Sequence, residues 1–223
     1  MLYFEKSQPA PDCLEQEKLK ASGDYKCGCV LDRLKSDFKN KCYICESKAP
    51  ASVNVEHFKS HQGNKDLKFD WDNLFYACAH CNNTKLAKFD DILNCTDSNH
   101  SVENKLNYYF NPFPFEKIKI TVNADDNKTL ETQKLLNAVF NGTTTLKEIE
   151  SDNIRGELLE QIQHFQKYLT KYFKDTNDAK EKKRCLKKIK EHLSSASAFT
   201  SFKRQIIKDN PQLLQEFGSY FLN

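Results

Sequence analysis

The chain has 223 residues, 39% of them hydrophobic and 29% charged, with a net charge of only +3. That length suits one or two domains, and the composition is that of a folded, soluble protein rather than a disordered one. No run approaches the ~18 apolar residues of a membrane-spanning helix, and neither G-x-x-x-x-G-K-[ST] nor G-x-G-x-x-G occurs, which excludes the glycine-rich nucleotide cradles.

The opening residues, MLYFEKSQPAPDC, lack the charged start, apolar run and cleavage site of a signal peptide. Export is therefore not expected and a cytoplasmic setting is. Next, VLDRLKSDF places Val30, Leu31, Leu34 and Phe38 on one helical face leading into the first cysteine pair. Residues 42–90 are dense in Cys, His, Asn, Asp and aromatics and show little periodicity, as expected of a compact unit organised by metal. Pro112 and Pro114 punctuate the chain, and IKITV then alternates Ile118, Ile120 and Val122 as a short strand. From about residue 129 the pattern turns helical. Leu135, Leu136, Val139 and Phe140 share a face, with Asn141-Gly142 as the stop. Leu158, Leu159, Ile162, Phe165, Leu169 and Tyr172 repeat at three and four. So do Leu186, Ile189, Leu193, Ala196, Phe199, Phe202 and Ile206, read as the stripe of a last long helix. These stripes predict core packing. Two parts follow: residues 1–125, a helix and a metal-stapled unit, and residues 126–223, a helical region.

Charge is uneven along the chain. Residues 1–120 hold 17 Lys/Arg and 17 Asp/Glu, whereas residues 167–204 hold 12 against 4. The basic cluster is either a solvated helix face or an electrostatic footprint for nucleic acid.

Nine cysteines, an odd count with no sign of secretion, argue against a disulfide framework and for metal or redox chemistry. Cys42-Tyr-Ile-Cys45 and Cys78-Ala-His-Cys81 are both C-x-x-C. Two intervening residues let a tight turn present both sulfurs to one ion, and two such turns complete a tetrahedron. Cys42, Cys45, Cys78 and Cys81 therefore predict a structural Zn²⁺ site, closed and without a free position for catalysis. Cys13, Cys27, Cys29, Cys95 and Cys185 are read as packing residues or incidental thiols, a second metal site at Cys27 and Cys29 being the alternative.

Between and after the cysteine turns lie Val55-Glu56-His57-Phe58, Asp70-Trp71-Asp72-Asn73-Leu74 and Cys81-Asn82-Asn83-Thr84-Lys85. Singly, His57 could be a packed histidine, Asn73 a turn residue and Asn82 a helix cap. Together the order acid-His, Asn-Leu, C-x-x-C-Asn-x-x-Lys resembles the HNH endonucleases whose ββα-metal motif is held by four cysteines. The resemblance implies an α+β, mostly α fold: a hairpin pinned against a helix beginning near Asn82, with a helical C-terminal part. It implies that His57 is the general base, the one motif side chain whose ordinary pKa of ~6.5 suits deprotonating water near neutrality. Glu56 and Asn82 would offer oxygens to one Mg²⁺ or Mn²⁺, and Asn73 would bond across the loop and orient His57. Lys85 and His80 would be phosphate contacts. Two departures from the commonest pattern stand out: Glu rather than Asp before the histidine, and Asn rather than His after the last cysteine. Both substitutes still offer an oxygen.

The longer strings GDY (23–25), KCYICE (41–46), VEHF (55–58), FDWDNLFYAC (69–78), HCNNTK (80–85), DILNCT (91–96) and SAFTSFKR (197–204) resemble the PtuB-type HNH nucleases of Septu systems and certain retrons. That likeness implies a nucleic-acid substrate, DNA before RNA or tRNA, and a PtuA-like ABC/SMC-type ATPase partner supplying the nucleotide chemistry absent here. In a retron setting it also implies a reverse transcriptase with its RNA–DNA. Two other readings compete. One is a non-catalytic zinc module binding nucleic acid through residues 167–204. The other is an adaptor whose helices bridge an ATPase.

Overall fold

The computed structural model describes residues 1–113, 116–175 and 178–221, so Pro114 lies outside the described residues. The chain opens on an extended segment, then α1 (Asp12–Leu19) and α2 (Gly28–Asp37). Val30, Leu34 and Phe38 are buried as the periodicity predicts, but Leu31 is exposed at the edge of the face.

Strand β1 (Val53–His57) pairs antiparallel with β2 (Leu74–Cys78), joined through the one-turn helix α3 (Lys65–Lys68). Strand β2 runs directly into α4 (Ala79–Lys85). The helix starts three residues earlier than expected, because the second C-x-x-C is itself its first turn: Cys78 is the N-cap and its sulfur accepts from the Cys81 amide. His80, Cys81 and Asn82 therefore project from helical backbone.

After the one-turn helix α5 (Val102–Lys105), a second hairpin follows, β3 (Leu106–Tyr109) with β4 (Lys119–Val122). Helix α6 (Asn127–Asn141) is capped by Asp126 and stopped at Gly142, whose φ of 71° is the conformation that favours glycine. Helices α7 (Thr145–Tyr172) and α8 (Ala179–Leu193) pack against one another.

The expected last long helix is in fact two. Helix α8 ends at Leu193, and α9 (Thr200–Lys208) begins after Phe199, which is left-handed at φ 49°. The intervening serines supply the break: Ser194 and Ser197 carbonyls accept from the Thr200 hydroxyl, and the Phe199 amide donates to the Glu46 carbonyl. Apolar spacing continues across it because both helices face the same core. A final helix, α10 (Pro211–Phe217), is capped by Asn210 with Pro211 in its first turn.

Residues from both sides of position 125 enter one apolar cluster, from Leu2, Phe4 and Leu34 through Phe75 and Leu93 to Leu136, Ile162 and Phe202. A smaller cluster of Phe165, Leu169, Ile189, Leu193, Ile207 and Phe217 closes the far end of the helices. No helix is long and apolar enough to cross a membrane among the described residues.

Candidate nuclease site

Four sulfurs converge where the first cysteine turn meets the start of α4. Cys42, Cys45, Cys78 and Cys81 are all buried, and their sulfurs lie within 4.8 Å of one another, Cys45 and Cys78 at 3.8 Å. The first turn is shaped by backbone bonds: the Glu46 amide donates to the Cys42 carbonyl, and the Cys42 amide donates to the Ser47 carbonyl. The Tyr43 amide donates to the Tyr76 carbonyl, which fastens this turn to β2. Burial leaves the four sulfurs no water to stabilise negative charge, so thiolates here call for a cation at their centre. Four unbonded thiols with only one another as side-chain partners fit a tetrahedral Zn²⁺.

The two outermost cysteines of α1 and α2 behave differently. Cys13 and Cys29 form a disulfide, with Cys27 close by as a free thiol. This corrects the reading of Cys13 and Cys29 as packing residues or incidental thiols. Their pairing depends on how α1 and α2 lie together, which spacing alone does not reveal. Cys95 and Cys185 are buried free thiols.

His57 sits at the end of β1. Its Nε2 lies 3.0 Å from the Lys68 carbonyl, an atom that can only accept. Nε2 therefore carries the proton, and Nδ1 keeps the lone pair with no hydrogen-bond partner among the described residues. The ring packs against both Tyr25 and His61, at centroid distances of 4.5 and 4.6 Å. Burial lowers its pKa, against the Lys68 hydrogen bond that raises it. Glu56, His57, Ser60, His61 and Asn82 line one open cleft of about 250 Å³ with Tyr25 and Lys26.

Asn73 is buried beside this cleft and closes the loop after His57. Its Oδ1 accepts from the Lys59 amide at 2.7 Å, and its Nδ2 donates to the Lys59 and Leu67 carbonyls. It does not touch His57. The link runs through the segment that carries the Lys68 carbonyl.

Lys85 and His80 are not placed as expected. Lys85 is fully buried beneath the cleft, with its ammonium 3.0 Å from Glu56 and 3.4 Å from Asp90, and donating to the His57 carbonyl. Its charge is met inside the protein, so the phosphate-contact reading is corrected. His80 faces the helices instead, 2.5 Å from Glu150 on α7 and 2.8 Å from the Val139 carbonyl on α6. It belongs to the seam between α4 and the C-terminal helices, because position 80 lies two residues, about 200° around the helix, from Asn82 on α4.

Glu56 is 5% exposed, and burial pushes its carboxyl up to about 7 even with the Lys85 ammonium beside it. A second cation would favour its ionised form. Glu56 and Asn82 are hard oxygen donors lining the same open cleft, a set that fits a hydrated Mg²⁺ or Mn²⁺ bound by few protein ligands. The sequence did not point to Tyr25, His61, Asp90 or the Lys68 carbonyl as parts of this site. GDY at 23–25 was its only written trace.

Residues 42–88 match the family model described as HNH endonuclease. No curated protein matches the chain. Residues 42–88 are thus similar to an HNH endonuclease domain, and the four cysteines, His57 and Asn82 all fall within that segment.

Proposed function

We propose that the protein is a metal-dependent endonuclease that hydrolyses phosphodiester bonds, with His57 as general base. The observation that carries this is the tautomer fixed at His57: the Nε2–H donates to the Lys68 carbonyl, leaving the Nδ1 lone pair on a ring that lines the cleft with Glu56 and Asn82. A water held at Nδ1 gives its proton to that nitrogen as its oxygen attacks phosphorus, and the P–O3′ bond breaks with its electron pair leaving on oxygen. Asn73 and the Lys68 carbonyl keep the imidazole in place. Lys85 and Asp90 hold Glu56 from beneath. Glu56 and Asn82 would hold Mg²⁺ or Mn²⁺, which would supply charge relief on the phosphate when bound. Zn²⁺ at the four cysteines is structural.

The longer resemblance supports a finer proposal: the protein is the nuclease of an anti-phage defence pair, partnered with a PtuA-like ATPase. Co-purification of the full chain with such an ATPase tests that part separately.

The central experiment incubates end-labelled duplex DNA, single-stranded DNA and total RNA with the protein and Mg²⁺ or Mn²⁺, beside His57→Ala. Cleavage by wild type is expected to fall at least ~100-fold in the variant, with zinc content and circular dichroism unchanged. Equal cleavage by both would remove His57 as the base. Salt-sensitive binding without cleavage by either, with or without the ATPase, would favour the non-catalytic zinc module.

A further inference from the structure

The cleft has a wall that the HNH domain does not supply. Tyr25 and Lys26 lie on the loop between α1 and α2, some thirty residues before Glu56, yet both line the cleft with His57. We propose that this loop completes the active site: Tyr25 is a positioning residue that holds the His57 ring in its reactive orientation, and the Lys26 ammonium takes a phosphate of the nucleic acid beside the scissile one. The proposal rests on the nuclease reading above and deepens it.

The argument for Tyr25 is geometric. One hydrogen bond, from Nε2 to the Lys68 carbonyl, fixes a point on the imidazole but not the plane of the ring. The Tyr25 ring, inclined at 59°, and the His61 ring, inclined at 61°, both abut the imidazole and restrict that remaining freedom. With the plane fixed, Nδ1 has one direction. His61 is in turn held by the Gly63 amide, which donates to its Nδ1.

The loop that delivers Tyr25 is tethered far more closely than an exposed connection requires. The Lys68 ammonium donates to the Gly23 carbonyl at 3.4 Å, so one residue holds both the loop and the base. The Asp24 amide donates to Glu17, and the Lys26 amide to the Asp24 carboxylate, each at 2.9 Å. Gly23 lies so near α1 that a Cβ there would stand 1.8 Å from the Glu17 carbonyl oxygen. The Cys13–Cys29 disulfide joins the helices on either side. Such tethers cost conformational entropy, and little of the loop is buried in return. They make sense as preorganisation of the ring that abuts His57.

The argument for Lys26 is one of charge. It is the only lysine lining the cleft among the described residues, it is exposed, and no carboxylate lies within ion-pair reach of it among those residues. Lys85, the nearby alternative, is already neutralised by Glu56 and Asp90. A polyanion entering the cleft therefore meets Lys26 as its available cation.

Full-length wild type, Tyr25→Leu, Tyr25→Phe and Lys26→Ala test the proposal with three readouts. These are steady-state cleavage of a labelled duplex with Mg²⁺ or Mn²⁺, the salt dependence of duplex binding, and the rate of diethyl pyrocarbonate acylation at His57 followed by peptide mass. Tyr25→Leu is expected to lower kcat at least about tenfold with KM little changed, and to speed acylation of His57. Tyr25→Phe should restore both, since the ring face does the positioning. Lys26→Ala should raise KM, and should reduce the slope of log affinity against log salt by about one. Unchanged acylation in Tyr25→Leu, or a Tyr25→Phe variant equally impaired, would overturn the role of Tyr25. An unchanged salt slope would overturn that of Lys26. If no protein cleaves but acylation and salt slope move as expected, the loop assignment stands and the nuclease reading is what fails.

Discussion

Glu46, the residue after the first pair of zinc cysteines, offers the sharpest test of how the nuclease domain is held. It is 2% exposed. Its carboxylate lies 3.2 Å from the Met1 amine and 3.4 Å from the Lys41 ammonium, and it accepts from both the amide and the hydroxyl of Ser201 on α9. Burial alone pushes this carboxyl up. Lys41, the Met1 amine and Ser201 outweigh it and hold the group at about 2 against an ordinary 4.5. Its depressed carboxyl favours the fold at neutral pH, while burial lowers the Lys41 ammonium to about 8 and the Met1 amine below its ordinary value, which offsets part of that gain. Removing one member of a buried ion pair costs ~3–5 kcal/mol, since the partners lose their counter-charge. Glu46→Gln, which keeps volume and one acceptor, is therefore expected to lower the free energy of urea unfolding by about 3 kcal/mol at pH 7. The sign with pH is fixed. A depressed carboxyl contributes stability that is whole above its unfolded pKa and lost as pH falls through the folded one. The gap between wild type and variant should hold down to about pH 4.5 and shrink toward pH 2, by about 1.4 kcal/mol per pH unit. Zinc loss in acid affects both proteins and cancels in the difference. A gap below about 1 kcal/mol at pH 7, or one constant down to pH 3, would refute the assignment of this network as a principal clasp.

Other consequences are open to direct measurement. Elemental analysis should find one zinc per chain, and Cys78→Ser should lose it together with the cooperative unfolding of the domain, because structural zinc binding is worth ~10–16 kcal/mol. Joint replacement of Cys13 and Cys29 by serine should cost about 3 kcal/mol in chemical unfolding, from the 16-residue separation that the disulfide closes. Lys203 is buried with no carboxylate in ion-pair reach among the described residues, and burial lowers its pKa to about 7. Wild-type stability should accordingly rise between pH 7 and 10, with Lys6 and Lys41, both lowered to about 8 by burial, adding to the rise, and Lys203→Met should reduce it and stabilise the protein by about 1 kcal/mol or more at pH 7.

What the sequence reveals follows from the range of the interactions involved. The zinc cysteines were legible because chelation by a C-x-x-C is a local event set by two intervening residues. His57, Glu56 and Asn82 were legible as an ordered set of side chains. Helices α6 and α7 follow from spacing at three and four, with Gly142 closing the first. The break before α9 was hidden because the apolar period runs on through Phe199 while Ser194–Ser197 change the backbone. Lys85 and His80 had the chemistry of phosphate contacts, yet chemistry does not give direction: one points beneath Glu56 and the other toward Val139. The Cys13–Cys29 bond and the packing of Tyr25 on His57 depend on where α1 and α2 come to rest, and no local pattern records that.

The domain of residues 42–88 is too short to bury a core of its own. A metal at the four cysteines would supply part of what is missing, and the rest comes from both flanks. The Trp71 indole donates to the Ser7 carbonyl, and Phe38 packs against Phe75 from the N-terminal side. From the C-terminal side, the Ser47 hydroxyl donates to Glu157, His80 meets α6 and α7, and α9 grips Glu46. The two sides act on different parts of the site. The N-terminal flank reaches the cleft itself through Tyr25, whereas α7 and α9 reach the first cysteine turn. A partner seated on the C-terminal helices would therefore bear on the four-cysteine end of the domain, and it could influence His57 through the paired strands β1 and β2 and through α4, whose His80 meets α6 and α7 and whose Lys85 donates to the His57 carbonyl.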